Sequence, residues 1–453
     1  MSEGKNNVSK KTLNTIVSDL TRPIKNHYGF TPWILFLTGI ILLGLFAYII
    51  QLKNGLGVTA MRDYVSWGLY ISSFIFFIAT ALIGMLISAV LGLIGIKWIT
   101  PISRIAEMIA LGFAMWAGLI IIFDMGRPDR ILNIFMHGRL QSPIVWDITV
   151  VNTYVVISIL LFLLPLIPDI PFLKKTMKDQ PTWKQKIYNL LSFGFVGRPE
   201  QYALIKRLIR ITAILIVPVA LAIHTVTSWL FASTLRVGWD STIFGPYYVT
   251  GAFVTGGAAV VIAMFVFSRD FRLKNYITDF HFDKMGRLMV LLMLVYLYFN
   301  INEFLVPGYK MKLAEKPHLY ELFQGDFALM FWLVQIGGLV LPVILLLFKK
   351  MRKPVPSLVI AVAVIIGAFF KRYIITIPTL LHPHLPIQNV PEEFSTYWPT
   401  PIEWSITMMA VAGALLIITI LAKLFPVIPI WETAYEEGIT TEEMNEFVKK
   451  END

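Results

Sequence analysis

The sequence predicts an all-α, polytopic membrane protein with about ten transmembrane helices, and two observations carry this prediction. First, 56% of the 453 residues are hydrophobic and only 15% are charged, whereas a soluble domain has about 25% charged residues. Second, the hydrophobic residues form long blocks, and a bilayer-spanning helix needs about 20 largely apolar residues. Ten blocks are long enough; they cover residues 32–52, 67–95, 103–123, 147–168, 208–230, 247–268, 286–306, 327–348, 355–377 and 403–425.

The segments before and after these blocks are polar. Residues 1–31 contain five Lys and Arg, and the block that follows lies too far from the start, and is too long, for a signal peptide. It is therefore interpreted as a retained first span. The chain thus divides into a cytoplasmic N-terminal segment (1–31), a membrane domain (32–425) and an acidic cytoplasmic tail (426–453), which we expect to be short, partly helical and solvated.

The basic residues predict the orientation of the spans. When the N-terminus is placed inside, 28 of the 39 Lys and Arg residues fall in segments on that side and 11 fall on the other side. Because cytoplasmic loops carry the excess of Lys and Arg, both termini are predicted to be cytoplasmic. This topology accounts for the net charge of +10, and no nucleic acid partner is expected.

The absence of cysteine limits the chemistry of the chain. With no Cys among 453 residues, the protein has no disulfide, no thiolate-held iron–sulfur cluster and no Cys-based zinc site. Haem is not expected either, because a bis-His haem needs two facing ligands and His224 alone lies clearly within a block. No metal site is predicted, so electron transfer would depend on the metal centres of a partner protein.

The connection between the third and fourth blocks concentrates charged residues at the membrane edge. They are Asp124, Arg127, Asp129, Arg130, His137, Arg139 and Asp147. Gly126 and Pro128 are typical of a sharp helix end, and Asp147 is expected to cap the fourth span. A carboxylate beside Arg at this edge can exchange protons with water; alternatively, these acids and bases only neutralise one another. The sequence leaves both interpretations open.

Three ionisable residues lie within the blocks: Glu107 in the third, His224 in the fifth and Glu303 in the seventh. Ionisable side chains are expensive in a bilayer and mark functional sites by default. A neutral imidazole can relay a proton and a buried carboxyl can carry one. Each of the three could equally be a packing residue that is hydrogen-bonded to a neighbouring helix. Trp229 and Asp240 lie in the aromatic belt at the outer end of the fifth block.

Several short motifs occur in a fixed order along the chain. They are Gly126-Arg127-Pro128, Ser142-Pro143-Ile144-Val145-Trp146-Asp147, His224-Thr225-Val226-Thr227-Ser228, the block from Trp239 to Ala252, Glu303-Phe304 and Tyr397-Trp398-Pro399-Thr400. In this order and spacing, from about Pro101 to Glu432, the chain resembles the NrfD/PsrC family of quinone-interacting membrane subunits. The resemblance is greatest to the ten-span branch that includes the ActC subunit of alternative complex III.

This resemblance implies a fold and a function. The implied fold is two pseudo-symmetric four-helix bundles, here about residues 67–230 and 247–377, with flanking helices. The implied function is exchange of electrons between menaquinone or ubiquinone in the cell inner membrane and an iron–sulfur partner subunit on the periplasmic side, with or without proton translocation. The complex can also contain molybdopterin or multihaem cytochrome subunits. The membrane subunit itself holds no cofactor, and it is not expected to be catalytic alone.

The resemblance and the charges together suggest roles for the candidate residues. Those predicted to exchange protons with the quinone are Asp124, Asp147 and His224. The predicted quinone contacts are Arg127, Arg130, His137, Arg139, Trp229 and Asp240, and the predicted proton path contains Glu107 and Glu303. The chain departs from ActC at three positions: two His residues are replaced by Asp124 and Asp240, and an acid by Leu230. Two other functions remain open, a structural membrane anchor without its own quinone site and a secondary transporter.

Overall fold

The computed structural model describes residues 2–25, 29–178, 180–234, 236–385 and 387–449, with only the backbone of residues 2–11. Within these ranges the secondary structure is helical and contains no β-strand. Ten helices are long and apolar enough to cross a membrane, which confirms the predicted fold class. In chain order they are span 1 (Phe30–Asn54), span 2 (Leu69–Leu91), span 3 (Lys97–Asp124), span 4 (Pro143–Thr176), span 5 (Pro199–Ala232), span 6 (Phe244–Asp270), span 7 (Asp279–Lys310), span 8 (Ala328–Leu347), span 9 (Pro354–Leu381) and span 10 (Pro401–Leu424).

Spans 2 to 5 and spans 6 to 9 form two four-helix bundles. In the first, span 3 packs on spans 2 and 4, and span 5 closes the ring by packing on spans 4 and 2. The second bundle repeats this order, with span 9 packing on spans 8 and 6. Span 6 joins the bundles by packing on spans 2 and 5, while spans 1 and 10 pair with each other beside span 3. The junction between the bundles is therefore lined by spans 2, 5, 6 and 9.

Both ends of the chain lie on one side of the spans, as an even number of crossings requires. The helix Ser2–Lys25 packs against the helices Ile430–Glu436 and Thr441–Lys449. We call this side the terminal face. The other side, which we call the opposite face, carries the connections 55–68, 125–142, 233–243, 311–327 and 382–400.

Two spans contain π-helical segments, Met85–Leu91 in span 2 and Leu333–Val340 in span 8. Each segment presents one polar side chain to a buried polar partner: Ser88 donates to Glu107, and Gln335 accepts from Asn300. π-Helical turns are frequent at functional sites because they re-aim side chains out of the regular helical register. Both polar pairs are therefore candidates for function.

A buried ion pair fastens the C-terminal segment to the first bundle. Arg104 and Asp169 are both fully buried, with 2.5 Å between guanidinium and carboxylate. Asp169 also accepts from the backbone N–H groups of Ile430 and Trp431. Breaking one half of a buried pair typically destabilises a protein by about 3–5 kcal/mol. Asp169 thus holds the segment after span 10 in place.

The C-terminal tail is docked on the terminal face, contrary to the expected solvated segment. Ile439 and Met444 are buried, and the hydroxyl of Thr100 donates to the carboxylate of Glu436 at 2.7 Å. The acidic composition concealed an apolar side of the segment that packs on the bundle and an acid that is hydrogen-bonded to it.

Lys371 and Arg372 lie inside the membrane domain, although the charge count assigned them to the last connection on the opposite face. Span 9 continues to Leu381, and the two side chains are only 3% and 2% exposed. Excluding them leaves nine Lys and Arg on that side, so the charge asymmetry that predicts the orientation becomes larger.

Candidate functional site

A first cluster of polar residues lies between spans 4 and 5, near the opposite face. Asp147 is 3% exposed, and its Oδ1 lies 2.5 Å from the hydroxyl oxygen of Thr227. The same hydroxyl lies 2.7 Å from the carbonyl oxygen of Ile223. A hydroxyl has one proton to donate, so when Thr227 donates to Ile223, a protonated Asp147 can donate to Thr227. The contact accommodates both protonation states of Asp147, as a proton-exchanging carboxyl requires.

Asp147 does not cap span 4, so this detail of the sequence analysis was wrong. The helix begins at Pro143, after Ser142, because Pro is well suited to the first helical position. Asp147 is the fifth residue of the helix, about 6 Å below its start. At this depth its side chain reaches span 5 instead of the N–H groups at the helix end.

His224 lies on span 5 one turn before Thr227, and therefore on the same face of the helix. It is 2% exposed, and neither ring nitrogen has a hydrogen-bond partner of good geometry among the described residues. The charge of Arg372 in span 9 acts on His224, and its guanidinium carbon lies 5.9 Å from the centroid of the Tyr248 ring in span 6.

The polar atoms at this junction between the bundles lack protein partners. Besides the His224 nitrogens, the Tyr248 hydroxyl and Arg372 Nε are unpaired within the described chain. Buried polar groups are nearly always hydrogen-bonded. A group of unsatisfied donors and acceptors at one place therefore suits a molecule that brings its own polar atoms.

Aromatic rings cover this cluster on the side of the opposite face. The Phe231 ring lies 4.8 Å from Trp239 and 5.4 Å from Trp67, and Trp67 stacks on Trp239 at 6.0 Å. Trp239 is fixed by a hydrogen bond from its indole N–H to the carbonyl of Ile375. Trp229, which was predicted to contact quinone, is instead 52% exposed on the surface of span 5. The apolar rings exclude water and offer flat surfaces for a planar ligand.

Asp124 belongs to a different cluster, formed by spans 1, 2, 3 and 10. Its Oδ1 is buried without a hydrogen-bond partner in the described chain. Nearby, the Tyr70 hydroxyl donates to Gln51, whose amide donates to the carbonyl of Phe123. The buried Glu403 also acts on Asp124. Among the described residues no contact joins this cluster to Asp147, so the two acids of the predicted pair lie at separate places.

The predicted basic contacts lie on the surface of the connection 125–142. Arg127, Arg130, His137 and Arg139 are exposed. Arg127 donates two hydrogen bonds to Asp129, at 3.0 and 2.9 Å, and this guanidinium holds the pKa of Asp129 below its ordinary value. None of the four contacts Asp147 or His224 in the part of the chain that the structure describes.

A third cluster occupies the second bundle, and the sequence analysis found only Glu303 of it. Glu303 accepts from Ser241, beside the exposed Asp240, and Lys371 faces it from span 9. A signal was present in the sequence, because Lys371 and Arg372 interrupt an otherwise apolar block, Ala368-Phe369-Phe370 before them and Tyr373-Ile374-Ile375 after them.

Glu107 stands apart from these clusters, near the terminal face. It is 4% exposed, accepts from Ser88 and keeps Oε2 without a partner in the described chain. It lies seven residues into the helix Thr100–Asp124, about 10 Å from its start. No group of three or more His, Asp or Glu residues suited to hold a metal ion occurs in the described ranges.

Comparison with known proteins gives a consistent picture. The chain is 26% identical to a membrane-complex relative named for the selenate reductase of Mesobacillus selenatarsenatis, over 86% of this chain and 93% of the relative. It is 24% identical to the Hdr-like menaquinol oxidoreductase integral membrane subunit of Archaeoglobus fulgidus (90% and 95% covered). It is also 24% identical to the menaquinone reductase integral membrane subunit of Nitratidesulfovibrio vulgaris (88% and 92%). The family described as polysulphide reductase, NrfD matches residues 57–383, well over half of the chain. The resemblance seen in the sequence is thereby confirmed at the level of the family: this multi-pass membrane protein belongs to the NrfD family.

Proposed function

We propose that the protein is the quinone-binding membrane subunit of an oxidoreductase complex, and that quinone reacts at the junction of the two bundles. The observation that carries this proposal is the group of unpartnered buried atoms on His224, Tyr248 and Arg372, next to Asp147 and beneath a cover of aromatic rings. It combines what a quinone requires: an apolar slot for the ring, polar partners for the two oxygens, and an acid that can exchange protons.

The chemistry assigns a role to each residue. Oxidation of a quinol releases two electrons and two protons, so the site needs groups that accept protons in the reaction. Asp147 takes one proton, and its contact with Thr227 persists in both protonation states. His224 binds the second quinone oxygen and takes the other proton, while the charge of Arg372 stabilises negative charge that develops on the quinone oxygens. Asp124, Glu107 and Glu303 are proposed to connect this site with water.

The electrons are proposed to pass to an iron–sulfur partner subunit on the opposite face. A chain without Cys cannot hold such a cluster by thiolates. The connection 125–142 presents Leu132, Phe135, Met136 and Leu140 with exposures of 64% to 80%, among the exposed Arg127, Arg130, His137 and Arg139. We propose that this surface receives the partner, whose complex can include molybdopterin or multihaem cytochrome subunits.

The substrate and the location follow from the same reasoning. Two relatives are named for menaquinone or menaquinol, so menaquinone is the proposed substrate. The charge asymmetry places the terminal face in the cytoplasm and the opposite face outside. The protein is therefore proposed to reside in the cell inner membrane with its quinone site near the outer surface.

Photolabelling tests the location of the quinone site. A photoreactive azidomenaquinone added to the assembled complex is expected to label the outer ends of spans 4 and 5, and excess menaquinone should prevent the labelling. His224→Leu should lower the label, whereas Asp129→Asn, in an exposed ion pair, should not. Labelling that is confined to other spans, or that does not compete with menaquinone, contradicts the proposal.

A further inference from the structure

Lys371 is the most unusual side chain of the second bundle. It lies ten residues before the end of span 9, which places it about 15 Å below the opposite face. It is 3% exposed, and its ammonium nitrogen has no hydrogen-bond partner among the described residues. The rings of Phe304, Tyr247 and Phe331 lie 4.6, 5.8 and 5.8 Å from this nitrogen. Aromatic faces attract a cation, but a buried ammonium group remains costly without further compensation.

Glu303 is the acid that faces Lys371. The two charges attract each other, yet the described chain contains no ion pair between them within 4.0 Å. One carboxylate oxygen, Oε2, has no partner, and the carboxylate also accepts from Ser241. An acid and a base thus face each other across a gap, each with an unsatisfied polar atom.

Two small cavities adjoin this gap. One, of about 30 Å³, is lined by Glu303, Tyr247, Phe304 and His318. The other, of about 20 Å³, is lined by Lys371, Arg372, Asn300 and Gln335. A cavity needs roughly 10–15 Å³ to hold a water molecule, which must find two to four polar partners. Each cavity therefore suits one or two waters, and neither has room for a quinone ring.

The first cavity leads toward the opposite face. His318, in the short helix Glu315–Phe323 outside the spans, lines it and keeps Nδ1 unpaired in the described chain. Burial, aided by His382, lowers the pKa of His318 to about 4, so its imidazole is neutral and can both donate and accept. The exposed Asp240 lies next to Ser241, the partner of Glu303. Polar groups thus continue from Glu303 to the surface.

In the direction of the terminal face the same bundle is closed by apolar side chains. Four methionines fill its core there, each at most 2% exposed: Met264, Met285, Met289 and Met293. Sideways, Arg372 adjoins Lys371 along span 9 and acts on His224. The hydrated region therefore connects the junction of the bundles with one face only.

We propose that Lys371 and Glu303 form a hydrated proton-exchange site that carries protons from the His224–Arg372 cluster to the opposite face. A proton passes from the Lys371 ammonium through water to the Glu303 carboxylate, which leaves a neutral amine and a neutral carboxylic acid. Glu303 then releases the proton toward His318, and the amine takes up a proton derived from the quinol. The pair returns to its starting charge, while the electrons go to the partner subunit. This inference rests on the proposed function.

The decisive variant is Lys371→Arg in the assembled complex. A guanidinium keeps the positive charge but does not release its proton, so the fold and the quinone site should survive. Steady-state quinol turnover should fall about 10²-fold, at the lower end of what a proton-transfer group contributes. The first reduction of the partner's metal centre after mixing with quinol should keep its rate. Glu303→Gln should behave alike, and Lys349→Gln, on the exposed terminal face, is the control.

The outcomes separate this inference from the proposed function. If Lys371→Arg turns over at the rate of the unmodified complex, the proton route is wrong and the quinone site is untouched. If the first reduction slows as much as steady-state turnover, Lys371 acts at the quinone itself and the inference is again overturned. If the unmodified complex does not react with quinol, both proposals fail.

Discussion

Replacing Asp147 by Asn is expected to abolish turnover without unfolding the protein. Asparagine has nearly the same shape, and its amide oxygen can still accept from Thr227, which lies 2.5 Å from the carboxylate. The substitution exchanges a hydrogen bond to an ionisable group for a neutral one, a difference of about 1 kcal/mol. A general acid–base group, by contrast, typically contributes 10²–10⁴-fold in rate, or about 2.7–5.4 kcal/mol of activation free energy. The effect on turnover should therefore be several times the effect on stability.

The assay is quinol-linked turnover of the complex in membranes, normalised to the amount of assembled complex. Asp129→Asn is the matched control, because that carboxylate is exposed and pairs only with Arg127 among the described residues. Asp124→Asn should lower turnover far less than Asp147→Asn, since no described contact joins Asp124 to the cluster at the bundle junction. Near-full activity of both the Asp147 and the Asp124 variants would refute the reasoning and leave these acids a structural role.

Two further predictions concern the terminal face. For the orientation, a maleimide added from outside should label Ile134→Cys and not Lys178→Cys, and the reverse pattern would invert the topology. For the tail, burial raises the pKa of Glu432 to about 7, in spite of the nearby charge of Arg104. A raised pKa means that docking is strongest at low pH and weakens as pH rises through about 7. Hydrogen exchange of residues 430–449 should therefore accelerate between about pH 5 and about pH 8, and Glu432→Gln should remove this dependence; a pH-independent exchange rate in the unmodified protein would contradict it.

The spans could be predicted from the sequence because each is determined by its own composition. A block of about 20 apolar residues must form its hydrogen bonds internally in a bilayer, so it becomes a helix whatever its neighbours are. The docked tail could not be predicted in this way. Its position depends on Asp169, more than 260 residues earlier, which accepts from the backbone of Ile430 and Trp431.

The site was predicted in part, for a related reason. Asp147 and His224 attracted attention because they interrupt apolar blocks or border them, and Thr227 connects them on one side of span 5. Arg372 and Lys371 were missed because the charge count treated them as members of a connection. The side-chain partners of Arg127 were also not predictable, since its nearest acid, two residues away, satisfies it on the surface.

The depths of the buried acids bear on the direction in which protons leave the quinone. Glu303 is seven residues from the end of span 7, about 10 Å below the opposite face. Glu107 lies 17 residues before the other end of span 3, about 25 Å from that face. Between the levels of Glu107 and Asp147, the described first bundle offers the buried hydroxyls of Tyr154 and Ser158, and the former donates to the carbonyl of Ala81. A path of that length would need several ordered waters, whereas the path through Glu303 needs one or two at each cavity. The geometry thus favours release of quinol protons to the opposite face, and translocation from the terminal face would require hydration of the first bundle during turnover.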